Sequence, residues 1–443
     1  MKKTRWIIGL LFACLLVVGI GFCYCYYMTP RLSDTGMVIY TGYTKTISVH
    51  GWVKQEEWYS SDPDIATVDN GTITAHREGN TEIYVDIGDK KLVCSLTVKK
   101  AMSPVYYDIA RQEKEWILSG QLDNGALPLR RGKDNQVVIN PYFACIAWTN
   151  VLHCEPDEEE LAKVRAYIRW HFDHINEKDA LGVAGTIYDY RATICDNGKI
   201  SEETDETYDS SDSYAAVFLI LLKDYCEISG DASIVIQNQQ KVDMVYAAMT
   251  ATLVEGYTFA KMDYPITYLM DNAEVRSGLD AAHSLYTDII KDKYKKSEIE
   301  TIINDFDDNF EEVWWEKDHY HPYLPQKGTV DFDWDTFYVD AVSQMYTIVY
   351  LDKKDHQKEL YESFCENWEW ETLSFMDEKA SFYWGALCYA ALKMEDYERA
   401  QTYIECYLEE TKERKYPLIT SDASFVARAS SALAEHYRKI EEK

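Results

Sequence analysis

After residue 140 the hydrophobic pattern of this chain alternates between two kinds of helix. Tyr208-Asp209-Ser210-Ser211-Asp212-Ser213-Tyr214 opens onto Ala215-Ala216-Val217-Phe218-Leu219-Ile220-Leu221-Leu222. A helix that is apolar all round has to be buried on all sides. The stretch before it, Glu158 to Phe172, keeps Leu161, Val164, Ile168 and Phe172 on one face and Glu158, Arg165 and Arg169 on the other, as an outer helix does. The same alternation predicts outer helices near 103–120, 156–175, 232–255, 296–315, 356–370 and 395–412. Inner helices are predicted near 141–153, 210–228, 271–290, 335–351, 380–393 and 422–440. Six outer–inner pairs predict an all-α (α/α)6 toroid of six helical hairpins over residues 101–443, with the loops entering the inner helices gathered at one mouth. No sequence repeat supports the pairing, and an α-solenoid is the rival architecture.

Ahead of the helices the period changes. Between residues 37 and 99, Lys45 to Val49, Glu82 to Val85 and Leu92 to Val98 alternate apolar and polar positions, as half-buried strands do. Ser60-Ser61-Asp62-Pro63 and Asp69-Asn70-Gly71-Thr72 between them are turn sequences. A small all-β sandwich is expected there. Residues 1–28 carry Lys2, Lys3 and Arg5 and then an apolar run from Trp6 to about Cys25, long enough to span a bilayer. This pattern predicts a single N-terminal membrane anchor, a cell-membrane location and the bulk of the chain outside. A cleaved signal and a lipoprotein signal at Cys14 are the alternatives.

Composition narrows the partners. The formal charge over 443 residues is −30, with 45 Lys and Arg against 75 Asp and Glu, which argues against nucleic acid. Aromatic residues make up 14 %, including 35 Tyr and 12 Trp, so the acidity belongs to a folded surface and not to a disordered tail. Acids beside Tyr and Trp suit a sugar binder, and the aromatics suit a large core equally. Cys145, Cys226 and Cys388 fall in apolar helical stretches, where buried free thiols are expected. No cofactor, no metal and a monomer are expected.

Two resemblances add to this. Trp58-Tyr59-Ser60-Ser61-Asp62-Pro63-Asp64-Ile65-Ala66-Thr67-Val68-Asp69, Gly71-Thr72-Ile73-Thr74-Ala75, Gly79 and Cys94-Ser95-Leu96-Thr97-Val98 resemble the bacterial Ig-like group 2 module. That resemblance implies a spacer or adhesion module without chemistry of its own. Asp123-Asn124-Gly125-Ala126-Leu127, Ile139-Asn140-Pro141-Tyr142-Phe143-Ala144 and Gly185-Thr186-Ile187-Tyr188-Asp189-Tyr190 are similar to six-hairpin glycosidase-like proteins. That superfamily implies an oligo- or polysaccharide substrate, and it holds glycoside hydrolases, polysaccharide lyases and members without known activity.

The candidate chemistry lies in the inner-helix entries. Glycoside hydrolysis needs one carboxyl to protonate the leaving oxygen and another to activate water or attack carbon. Asp212, at the start of the most apolar inner helix, is the candidate acid, with Asp189, Asp271 or Asp335 positioning water. Tyr190, Asp209, Tyr214, Asn272, Trp334 and Trp384 are candidate substrate contacts. Several have a plainer use. Asp209 or Asp212 can cap a helix, Asp271 and Glu274 have capping-box spacing, Asp335 can be an N-cap, and Trp384 can pack in the core. Asp331-Phe332-Asp333-Trp334-Asp335 could instead gather calcium. His319-Tyr320-His321 is a weak metal pattern. Alternatives to a hydrolase are a non-catalytic glycan-binding or adhesion protein and a polysaccharide lyase.

Overall fold

Strand period explains the first part of the molecule. In a computed structural model describing residues 27–53, 55–132, 135–324, 330–351, 355–376 and 382–443, the chain divides into two compact units. One holds the residues up to Tyr106 together with Ala434–Lys443, and the other is Tyr107–Leu433.

Besides a short pair of Arg31–Leu32 with Val49–His50, the first unit has the strands β1 (Gly36–Tyr40), β2 (Thr44–Thr46), β3 (Glu57–Ser60), β4 (Ala66–Asp69), β5 (Thr72–Ala75), β6 (Gly79–Ile87) and β7 (Lys90–Lys99). Among the described residues they form a four-stranded sheet in the order β1-β7-β6-β3 and a three-stranded sheet in the order β2-β5-β4. β1 runs parallel to β7, pairing Gly36 with Ser95, and β6 and β7 form an antiparallel hairpin. Alternate residues Ile83 and Val85 of β6 and Cys94, Leu96 and Val98 of β7 enter one core with Ile39, Ile47, Ile65 and Ile73. Asn70 and Gly71 both have positive φ, 47° and 81°, the conformation of a two-residue hairpin turn that Asn-Gly favours.

The helices are α1 (Ser103–Leu118), α2 (Pro141–Leu152), α3 (Glu158–His174), α4 (Ser211–Ser229), α5 (Gln239–Thr250) and α6 (Leu269–Ser284). They continue as α7 (Lys293–Trp314), α8 (Val342–Tyr350), α9 (Gln357–Asn367), α10 (Ala386–Lys393), α11 (Tyr397–Glu410) and α12 (Thr420–Glu441). The even-numbered helices face one another. α4 packs on α2 and α6, and α8 on α6 and α10. The Tyr389 ring lies 6.2 Å from that of Phe425, joining α10 to α12, and Asn150 Nδ2 donates to Ser424 Oγ at 3.0 Å, joining α2 to α12. α4 shows why: its residues from Ser211 to Leu219 are all buried. Within the first unit, the Glu441 carboxylate at the end of α12 accepts from the Ser103 amide at 3.1 Å and the Tyr43 hydroxyl at 3.1 Å, capping α1.

Two expectations are corrected. The part after residue 101 is not all-α. Gln136–Ile139, Tyr190–Ile194 and Ile200–Glu203 (β8, β9 and β10) form a three-stranded antiparallel sheet, and β11 (Thr267–Tyr268), β12 (Trp315–Glu316), β13 (His319–Tyr320) and β14 (Tyr323–Leu324) make short pairs. The fold class is therefore mixed helix and sheet. The N-terminal anchor, and the cell-membrane location and membrane partner resting on it, are corrected as well. Among the described residues no helix is long and apolar enough to cross a membrane. Most of the segment on which the anchor was expected, residues 1–26, lies outside those described.

Candidate functional site

The entries of α2, α4 and α6 bring a group of carboxylates together. Asn140 N-caps α2 through Oδ1, which accepts from Phe143 N at 3.1 Å, and Pro141 follows at the position where a missing N–H costs nothing. The cap leaves its amide nitrogen free to donate to Asp189 Oδ2 at 3.2 Å and to the Tyr214 hydroxyl at 2.8 Å. Tyr214 in turn donates to Asp189 Oδ1 at 3.1 Å. Burial pushes the Asp189 carboxyl up to about 6, against the hydrogen bonds from Tyr214 and Asn140.

Asp212 sits in the first turn of α4 with no solvent exposure. Its Oδ2 accepts from Thr258 Oγ1 at 2.7 Å and its Oδ1 from Ser213 N at 2.8 Å. Burial again dominates and lifts it to about 6, with the Asp209 charge adding to the rise. Asn272, fully buried, is held by backbone: Oδ1 accepts from Thr258 N at 2.9 Å, and Nδ2 donates to Thr258 O at 3.0 Å and Tyr268 O at 2.9 Å. Asp212 and Asn272 therefore share Thr258.

Asp271 is raised by burial and by three neighbouring carboxylates at once. Its surroundings push it well above the usual carboxylate range, burial first, then the charges of Asp212, Glu274 and Asp209. It nevertheless keeps partial exposure, so solvent or a ligand reaches it. Glu274, one turn on and 1 % exposed, accepts from the Tyr142 hydroxyl at 2.5 Å. It is raised by burial and by Asp212, against the Tyr142 and Tyr350 hydroxyls. The N-cap position of α6 is Tyr268 and carries no side-chain cap, so Asp271 and Glu274 do not form a capping box. Asp209 is exposed, and its charge acts on Asp189, Asp212, Tyr214, Asp271 and Tyr338 alike.

Aromatic rings wall this group. Tyr142 stacks on Tyr214 with centroids 5.5 Å apart, Phe143 meets Phe382 at 5.6 Å, and Phe382 meets Trp384 at 4.6 Å. Trp384 is 7 % exposed and lies 5.6 Å from Tyr338, which is 63 % exposed. Trp384 has φ +56°, and Asp422 holds the turn around it by accepting from Tyr383 N and Gly385 N, both at 2.9 Å. Burial lifts Asp422 to about 6.

Other candidates stand apart. Tyr190 packs edge-on against Trp170 at 5.8 Å and His174 at 5.1 Å, on the opposite side of the extended chain from Asp189. Asp335 is exposed, and its amide donates to Asp333 at 3.0 Å. Trp334 packs against Phe332 at 5.0 Å and its carbonyl accepts from Trp368. Neither Asn140, Tyr142 and Thr258 nor Tyr338 stands out in the sequence as a site residue. Asn140-Pro141 was a readable signal, since a polar N-cap beside Pro fixes which side chains start the helix. Thr258 had none, lying in a loop 46 residues from Asp212 and 14 from Asn272. A cavity of about 560 Å³ lies elsewhere, further along the same inner helices, lined by His153, Asp224, Arg276, Lys393 and Arg428.

No protein-family model matches the chain, and no curated protein sequence matches it. Solved structures do. A wild-type glycosidase matches with a TM-score of 0.53 at 9 % identity, over 75 % of this chain and 98 % of that one. A rhamnosidase from Klebsiella oxytoca with rhamnose bound matches with a TM-score of 0.51 at 9 % identity, over 82 % of this chain and 71 % of that one. The chain thus has a glycosidase-like helical fold.

Proposed function

We propose that the chain is a glycoside hydrolase whose acid is Asp271 and whose second carboxylate is Asp209. One observation carries this: Asp271 is raised well above the usual carboxylate range and is still partly exposed. Burial and the charges of Asp212, Glu274 and Asp209 keep its proton on to higher pH than a free carboxyl would, which is what protonating a leaving oxygen requires. Asp212 is fully enclosed and both its oxygens are engaged, so it acts on Asp271 by charge and on Thr258 by hydrogen bond. Asp209, exposed at the same place, is the carboxylate that activates water or attacks the sugar carbon. Exposed Tyr338 against Trp384 offers an aromatic face for a sugar ring, and Asp189 holds Tyr214 in the wall. The fold shared with glycosidases supports a carbohydrate substrate. Residues 37–99 act as an Ig-like group 2 spacer.

The test is a screen of the chain against a glycan panel, scoring new reducing ends, ultraviolet absorbance and binding. Asp271→Asn is expected to lower turnover by about 10²–10⁴-fold with binding retained, and Asp335→Asn to leave it unchanged. Binding with no product would sink the hydrolase assignment, and an unsaturated product absorbing in the ultraviolet would replace it with a lyase.

A further inference from the structure

A hairpin outside this site collects a different set of donors. β12 and β13 pair antiparallel with Glu316 directly opposite His319, so those side chains leave the same face. His321 lies two residues beyond His319, and the two-residue period returns its side chain to that face. A turn makes the approach tight: Lys317 has φ +59°, and Asp318 N donates to Glu316 O at 2.8 Å. One carboxylate oxygen of Glu316 and one ring nitrogen from each histidine consequently lie within 4.8 Å of one another. His321 Nε2 is 3.6 Å from Glu316 Oε2.

We propose that Glu316, His319 and His321 form a binding site for a divalent first-row transition metal, Zn²⁺ in the first instance.

Three further features fit that use. His321 Nδ1 is buried with no hydrogen-bond partner among the described residues, so no hydrogen bond on that side fixes the ring against a metal at Nε2. Asp318 Oδ1 accepts from His319 Nδ1 at 2.9 Å, which leaves the Nε2 lone pair available. Metal-binding histidines are commonly oriented by just such a carboxylate. The His319 ring is also clamped against Phe332, centroids 3.8 Å apart, so its direction is set in advance. Two imidazoles and one carboxylate select zinc or a neighbour over calcium or magnesium, which take oxygen ligands. Three protein ligands with Glu316 and His321 half-buried leave the remaining coordination positions to water. A competing cation among the described residues is Lys317, whose Nζ is 3.7 Å from Glu316 Oε1; at 81 % exposure it can swing into solvent.

The site sits beside the acids without joining them. Pro322 O accepts from Leu269 N at 3.0 Å, and β14 pairs Tyr323 with Tyr268. Tyr268 precedes Asp271 by three residues. A metal on the hairpin therefore braces the strand that enters α6, a structural role that holds whether or not the chain cleaves sugars.

Titration of the full chain with Zn²⁺ by calorimetry, paired with visible absorption on Co²⁺ loading, tests this. One equivalent of Zn²⁺ is expected, with Co²⁺ bands of mixed nitrogen and oxygen ligation and a raised thermal midpoint. His321→Ala and Glu316→Gln are each expected to weaken Zn²⁺ by at least about 10²-fold, and Asp318→Asn by about 10–100-fold. Lys317→Ala should bind at least as tightly as the parent. Near-ultraviolet dichroism checks that each variant keeps its fold. No stoichiometric binding by the parent overturns the site. Affinity unchanged in both folded ligand variants overturns it equally, since the metal would then sit elsewhere. Calcium displacing Zn²⁺ at equal concentration would overturn the assignment to a transition metal.

Discussion

Asp212 shows how much one side chain can carry without touching a ligand. It is raised to about 6 by burial, above the value near 3.9 expected for an unfolded aspartate. Between these values the folded chain binds more proton than the unfolded chain at this residue. Its contribution to stability is therefore present below about pH 4 and is lost as pH rises through about 6. Asp212→Asn removes that dependence. The stability of the variant relative to the parent should rise by about 2–3 kcal/mol between pH 4 and pH 6. Denaturant unfolding at several pH values checks this, and a constant difference would contradict it. Activity moves in the same direction. If Asp271 donates the proton, turnover should fall as pH rises and this carboxyl ionises, and Asp212→Asn should move that fall to lower pH by removing a neighbouring charge. Single residues were also the hardest scale to read from sequence. Asp209, Asp212, Asp189 and Asp271 were identifiable because each begins a helix or follows a glycine turn. The division of labour proposed for them depends on exposure, and sequence does not reveal that Asp212 is sealed while Asp271 is partly exposed.

Elements were legible where their period was long. The apolar run of α4 and the two-faced pattern of α3 located inner and outer helices within a few residues. Short elements were not. β8, β9 and β10 have only four or five residues each and lie in what reads as loop, and the outer helix expected over 232–255 is broken at Asn238 into Ser233–Gln237 and Gln239–Thr250. The Glu316 and His319 pairing depends on hairpin register, which two-residue strands do not announce. Between elements, one buried ion pair joins α1 to the segment after α11. Glu113 is fully buried and accepts from Arg414 Nη1 and Nη2, both at 2.5 Å, and from the Tyr407 hydroxyl at 3.1 Å. Removing one partner of such a pair leaves an uncompensated charge. Arg414→Met is expected to cost about 3 kcal/mol, and Glu113→Gln with Arg414→Met should recover part of that loss. Thermal melts of the three variants measure it.

At the scale of the whole molecule, a net charge of −30 and a cluster of acids at the inner-helix entries act together on any glycan that the proposed function would bring there. A uronate-bearing glycan is repelled, and salt relieves repulsion over about 10 Å. Turnover of an anionic glycan should thus increase with ionic strength while that of a neutral one stays level. Equal response of both would show that the field does not reach the substrate. The charge and aromatic content were open to inspection from the start, and the helical alternation gave the ring of inner helices. The sheet inserted into that ring was hidden by the brevity of its strands. The cap on α1 has a consequence in time. Ser103 N waits for the carboxylate of Glu441, 338 residues later. At translation speeds of about 5–20 residues per second, that interval is on the order of 20–70 s. Throughout it, the amides at the start of α1 must be served by water, and the hydroxyl of Tyr43 with them. The strand unit therefore gains its last clasp only after the inner-helix ring has been synthesised, so a nascent chain halted before residue 441 would carry an unclasped first unit open to chaperones and proteases.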